Sequence, residues 1–135
     1  MADTFQLEIV TPDKMVVRDV AEEMQIPGKN GYLGVLPGHA PLITELAVGE
    51  ITYRNANITH HLAVAWGFAE VLPDKVTILA ETAELAEEVD VNRAQAAKQR
   101  AETNLTKAAT EDEFNKVAGD LQRAETRLEV AEKKK

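Results

Sequence analysis

The sequence contains no cysteine and no serine. The two commonest nucleophiles of covalent catalysis are therefore missing. No disulfide framework can form, which fits the cytosol. Basic residues are in deficit: 15 Lys and Arg stand against 23 Asp and Glu, for a formal net charge of −8. A phosphate backbone demands a basic surface, so nucleic acid is not an expected partner. A local basic cluster can still take a small anion. Long apolar runs are also missing. The longest, Leu62 to Ala69, has eight residues, against the ~20 that a membrane-spanning helix needs. The first ten residues, "MADTFQLEIV", lack the basic start and apolar core of a signal peptide. No direct membrane insertion is expected, and any membrane association has to run through a partner.

The motifs of catalysis are equally scarce. His39, His60 and His61 are the only histidines, and no HExxH or other zinc spacing accompanies them. On a strand, His60 and His61 point to opposite faces, so at most one of them can join a given ligand set. No P-loop or GxGxxG occurs; the glycines of "GKNGYLGVLPG" have the wrong spacing. The carboxylates are scattered, with no evident acid–base pair. Neither a catalytic site nor a metal centre is expected.

What is present divides in two. All five prolines (12, 27, 37, 41, 73) and six of the seven glycines precede residue 75; only Gly119 follows. Residues 1–86 carry 12 acids and 5 bases, whereas residues 87–135 carry 11 acids and 10 bases. These shifts predict two domains, 1–86 and 87–135. In the first, Phe5, Leu7 and Ile9 alternate with Gln6, Glu8 and Val10. "MVVRDV", "EITYR", "HLAVAW", "FAEVL" and "KVTILA" read as further short strands bounded by turn residues, the pattern of a small β-sandwich. Leu62–Trp66, apolar at every position, fits a strand buried on both faces. The glycine-rich stretch "PGKNGYLGVLPGHAPL" reads as tight sandwich turns, or as irregular loops that form a docking edge for another subunit.

The second half predicts an antiparallel helical hairpin, so the fold class is α+β. Thr110 to Glu113 is a capping box. Phe114, Val117, Leu121, Ala124, Leu128 and Ala131 recur at helical spacing, matched upstream by Val91, Ala94, Ala97, Ala101, Leu105 and Ala108. The seam is mostly alanine and buries little apolar area, so at ~25 cal/mol per Å² the hairpin should detach easily.

Within "VDVNRA" (89–94) Asp90 is a good N-cap. If the chain turns near residue 109, Arg93 comes to lie opposite a position flanked by Arg123 and Arg127, with Arg100 two turns along. Four arginines then gather beside Glu84 and Asp90, a group of net charge +2. Arginine's planar fork suits phosphate, so the cluster is a candidate site for a phosphate-bearing ligand. The alternative is a solvated ion-pair network with neighbouring glutamates.

Over essentially its whole length the chain resembles the epsilon subunit of the F-type ATP synthase. The resemblance rests on "IVTPDKMV" (9–16), "GYLGVLPGHAPLIT" (31–44), "GFAEVLPDKVTILAETAE" (67–84) and "VDVNRA" (89–94). It implies an N-terminal ten-stranded β-sandwich and a C-terminal two-helix hairpin. It also implies a non-catalytic central-stalk subunit, bound to the gamma subunit and resting on the proton-driven c-ring. Such a subunit lies on the cytoplasmic face of the bacterial inner membrane, peripheral through the complex. It couples rotation to ATP synthesis, and its helices can extend into the alpha/beta catalytic head to inhibit hydrolysis.

No cofactor is required, and ATP is implied as a regulatory ligand of the compact hairpin. Carried over position by position, its site is Glu84, Asp90, Arg93, Ala94, Arg100, Arg123 and Arg127, with Val89 where relatives have isoleucine or leucine. Interface positions fall on Tyr32, where many bacterial relatives place a glutamate facing the c-ring, and on His39, toward gamma. Trp66 stands where the family pattern has a glycine. Two alternatives remain: a rotor subunit whose helices inhibit without sensing ATP, and a free-standing nucleotide-binding module.

Overall fold

The structure, a computed structural model, describes residues 3–133. Strand β1 (Phe5–Val10) buries Phe5, Leu7 and Ile9, because successive side chains of a strand leave on opposite faces. Seven strands follow: β2 (Met15–Ala21), β3 (Glu23–Gly28), β4 (Gly31–Val35), β5 (Leu42–Leu46), β6 (Gly49–Asn55), β7 (Ile58–Val71) and β8 (Lys75–Leu85). A 3₁₀ turn at Ala86–Glu88 leads into helices α1 (Val91–Lys107) and α2 (Glu111–Ala131).

The strands make one hydrogen-bonded sheet in the order β2-β1-β8-β7-β5-β3-β4, and β6 folds it over by pairing with both β3 and β7. β1 runs parallel to β8, while the neighbours on either side of that pair are antiparallel. Leu7, Ile26, Ile51, Leu62 and Ile78 are fully buried in the shared core.

Among the described residues there are eight strands, which corrects the expected ten. "HLAVAW" and "FAEVL" are not two strands but one, β7, which bends at Trp66 (φ 53°) and Gly67 (φ 125°). The bend leaves the ladder intact: Ala65 pairs with Thr82 and Gly67 with Ala80, in the same register. β7 therefore pairs with β6 before the bend and with β5 after it, serving both layers without ending. Gly67 is required there, since an added Cβ would collide with the Leu79 carbonyl oxygen.

The glycine-rich stretch is also more regular than irregular docking loops. Its first part is the β3–β4 hairpin, closed by the Gly28–Gly31 pair around Lys29-Asn30, with Gly31 at φ 128°. Leu33 and Val35 alternate with Gly34 well enough to pair. Leu62, Ala63, Val64 and Ala65 are buried. Ala63 turns its side chain to Ala86 and Val130, so the helical hairpin covers the outer face of this strand.

The helices start where expected. The Asp90 carboxylate accepts from the Arg93 amide at 3.0 Å, and Thr110 Oγ1 accepts from the Glu113 amide at 3.1 Å. The Glu113 carboxylate reaches one residue beyond the cap and accepts from the Ala109 amide at 2.9 Å. Burial along the hairpin is thin: Ala94 and Ala101 on α1, and Ala124, Val130 and Ala131 on α2. Val91 and Phe114 of the expected stripe remain 39 % and 48 % exposed. Burying a leucine or isoleucine of the sandwich is worth ~1.5–3 kcal/mol, an alanine methyl only ~0.8. The stability of the molecule resides in the sandwich.

Candidate functional site

An open groove of about 560 Å³ separates the hairpin from the sandwich. Helix periodicity carries Arg93 and Arg100 to its wall from α1, and Arg123 and Arg127 from α2; β8 contributes Glu84. Five of the seven candidate ATP-site residues therefore line one space. The other two, Asp90 and Ala94, do not. Asp90 spends a carboxylate oxygen on the helix cap, and Ala94 is fully buried against Val89 and Ala131.

The four guanidinium groups differ in how they are held. Arg127 Nε donates to Glu84 Oε1 at 2.6 Å, and Nη2 donates to Oε2 at 3.2 Å. This bidentate pair joins α2 to β8, with Arg127 only 18 % and Glu84 32 % exposed. Arg123 meets Asp120 one turn back at 3.6 Å and lies over the Trp66 ring, 5.7 Å from its centroid. Arg93 and Arg100 are exposed and make no ion pair among the described residues.

Sequence reasoning missed a third wall. The β1–β2 turn brings Thr11, Asp13 and Lys14 to the groove, and β8 adds Glu81 and Thr82. The turn itself is legible in Thr11-Pro12-Asp13-Lys14, but nothing local signals that it lies beside the hairpin. The wall changes the charge. Five basic side chains (Lys14 and the four arginines) face four carboxylates (Asp13, Glu81, Glu84 and Asp120). The lining is net +1, not the +2 expected from the arginines with Glu84 and Asp90. Lys14 also reaches Glu88 at 3.5 Å. The groove thus combines committed ion pairs with the guanidiniums of Arg93 and Arg100, which have no ion-pair partner among the described residues. That arrangement is able to receive an anion with several oxygens.

Beyond the groove, Glu50 ties the C-terminal end of α2 to the sandwich. Lys133 Nζ donates to its two carboxylate oxygens at 2.7 and 3.0 Å, and His61 Nδ1 lies 3.3 Å from Oε2. Lys134 and Lys135 lie outside the described residues. Tyr32 is 62 % exposed, and its hydroxyl accepts from the Glu50 amide at 3.0 Å. His39 is half-buried, with Nδ1 2.7 Å from the Ala40 carbonyl oxygen. Neither touches the groove. On the sheet, Phe68 pairs with Leu79 and neighbours Ile43 through the β5–β7 register, and all three are more than half exposed. Among the described residues, no group of three or more His, Cys, Asp or Glu could hold a metal. No helix there is long and apolar enough to cross a membrane.

A β-sandwich that hands its chain to two long helices is a recognised two-part architecture, and both parts have counterparts. Residues 4–86 match the ATP synthase Delta/Epsilon chain beta-sandwich domain, and residues 87–132 match the long alpha-helix domain of the same family. The ATP synthase epsilon chain of Koribacter versatilis (strain Ellin345) is 72 % identical over 111 residues, covering 82 % of this chain and 78 % of that one. The epsilon chain of Syntrophobacter fumaroxidans (strain DSM 10017 / MPOB) is 48 % identical over 133 residues, covering 98 % and 99 %. A chain in a cryo-EM structure of the Euglena gracilis mitochondrial ATP synthase (OSCP/F1/c-ring) shares the fold, with a TM-score of 0.81 at 22 % identity, covering 97 % of this chain and 82 % of that one. The chain belongs to the epsilon-chain family of the F-type ATP synthase. Its role in that complex is non-catalytic.

Proposed function

We propose that the chain is a rotor subunit of the central stalk whose helical hairpin regulates ATP hydrolysis, with ATP as the ligand that favours the closed hairpin. In this reading the sandwich docks on gamma and on the c-ring at the cytoplasmic face of the bacterial inner membrane. It helps to couple rotation to synthesis, and the hairpin, once released, extends into the alpha/beta head and inhibits. The exposed apolar face of Ile43, Phe68 and Leu79 supports docking by the sandwich, as does the exposed Tyr32.

The observation that carries the regulatory part is the groove. Arg93 and Arg100 stand unpaired, among the described residues, beside a seam of alanine and valine contacts. A triphosphate placed there would relieve the repulsion between guanidiniums and bridge elements that separate when the hairpin opens. A ligand that binds only the closed form stabilises it by RT ln(1 + [L]/Kd), ~2.7 kcal/mol at one hundred times Kd. That is comparable with the few apolar contacts of the seam. Isothermal titration of the purified chain tests this. Saturable ATP binding is expected, lost in Arg93→Ala and Arg100→Ala; no heat from the wild type at millimolar ATP sinks the nucleotide reading.

A second reading keeps inhibition but drops ATP control. The commitment of Arg127 to Glu84 and of Arg123 to Asp120 favours it, because both arginines are already neutralised. Under this reading the titration is silent, yet truncation after Leu85 still raises hydrolysis by the assembled complex.

A further inference from the structure

Two local anomalies meet at one point of the hairpin–sandwich seam. The first is Trp66. Its φ of 53° puts a bulky aromatic residue in the left-handed region, which is a genuine outlier for such a side chain. Residues held in sparsely populated regions persist only where their surroundings over-determine them. The second is Gly119, in the interior of α2, where glycine weakens a helix relative to alanine. A Cβ on Gly119 would lie 3.3 Å from Trp66 Cζ2 and 3.7 Å from Cη2. The missing side chain of one is thus the seat of the other. One helical turn further on, Arg123 caps the same indole with its guanidinium carbon 5.7 Å from the ring centroid.

We propose that Trp66 is the catch by which the sandwich holds α2, and that its ring face positions Arg123 at the wall of the groove. The reasoning is comparative. The buried apolar contact across this seam is the small cluster of Ala63, Ala86 and Val130; the cluster of Val89, Ala94 and Ala131 lies within the helical half. An indole offers far more contact area than any of these. The bend of β7 at Trp66–Gly67 supplies the direction: it lets Trp66 leave the strand toward the helix while Gly67 keeps the ladder. Arg123 is shared between the indole and Asp120, and so stays at the groove when no ligand is present. Trp66 does not line the groove itself; it acts through Arg123 and is a positioning residue.

The catch is independent of nucleotide; only the consequence for the groove rests on the ATP reading. Amide hydrogen exchange along α2 in the ligand-free chain tests the catch. Trp66→Gly removes the ring and relieves the left-handed backbone. Gly119→Leu blocks the seat while improving the helix. Both are expected to raise α2 exchange at least about tenfold and to leave β1 and β8 amides unchanged, since opening is local. In Trp66→Phe, which keeps an aromatic face, most of the protection is expected to return. Exchange within twofold of wild type in both Trp66→Gly and Gly119→Leu overturns the catch.

The positioning role is read from ATP affinity. Trp66→Leu keeps bulk but loses the π face, and is expected to weaken binding about three- to thirtyfold, as a cation–π contact would. It should add nothing to Arg123→Ala in the double variant; additive losses overturn the positioning role. A wild type that binds no ATP counts against the nucleotide reading and the positioning role, and the exchange result still decides the catch.

Discussion

Arg127→Ala tests how the hairpin is held. Its guanidinium makes the bidentate contact with Glu84 that joins α2 to β8. Fully exposed ion pairs contribute ~0–1 kcal/mol, whereas breaking a buried pair costs ~3–5 kcal/mol because a charge is left without a partner. Arg127 and Glu84 are 18 % and 32 % exposed, between these limits. After discounting for solvent screening, the loss is ~2 kcal/mol, in line with the ~1.5–3 kcal/mol of a charge-assisted hydrogen bond. At 25 °C that shifts the ratio of docked to released hairpin ~30-fold. The sandwich should not notice, because its core cluster contains neither residue. A released hairpin with a seam of alanines cannot keep its helices well protected on its own. Hydrogen exchange in α2 is therefore expected to rise ~30-fold in Arg127→Ala, with β1 and β8 amides as the internal reference. Glu84→Gln should reproduce part of the effect, and the double variant should fall well short of the sum. An α2 rate within about threefold of wild type, or an equal acceleration in the sandwich, would refute a hairpin latched by this pair.

Two predictions concern the sandwich. Gly67→Ala should lower the melting temperature sharply, by several kcal/mol in free energy, because the new methyl meets the Leu79 carbonyl at a φ of 125°; an unchanged melting curve would contradict the bend. Tyr53 is buried and its hydroxyl donates to Asp19 Oδ2 at 3.2 Å. Desolvation by burial, then the Asp19 charge and hydrogen bond, raise its pKa well above the ordinary 10.0. The folded state therefore holds this proton more tightly than the unfolded chain does. The resulting stability is complete below pH ~10 and is lost as the pH climbs toward the raised folded value. Urea unfolding from pH 9 to 11.5 should show that alkaline decline, shallower in Tyr53→Phe; identical slopes would sink the assignment.

What could be read ahead of the structure follows from how far each rule reaches along the chain. Phe5, Leu7 and Ile9 disclose a strand because alternation is local, and Asp90 and Thr110 disclose helix starts because capping spans three residues. Helical periodicity, together with a short turn, was enough to bring four arginines to one side, because both rules have fixed geometry. Three things were not legible. Gly67 reads as punctuation, yet β7 continues through it; a bend and a break use the same residue, and only the partners Leu46 and Ala80 distinguish them. The third wall of the groove comes from Lys14, which is 79 residues before Arg93 in the chain and carries no local sign of where it packs. The same limit hid the role of Gly119: a mid-helix glycine looks like a defect until the indole beneath it is seen. These three features share a location, the seam, and a physical character. The seam has small apolar contacts, one aromatic catch and charge pairs at Glu84, Glu88 and Glu50. The more exposed pairs, Lys14–Glu88 and Lys133–Glu50, lose little when they open into water, because solvent replaces the partner. The half-buried Arg127–Glu84 pair therefore carries most of the electrostatic hold. A hairpin held this way opens without disturbing the sandwich, and salt or an anion can shift the balance because ion pairs share the hold with the aromatic catch.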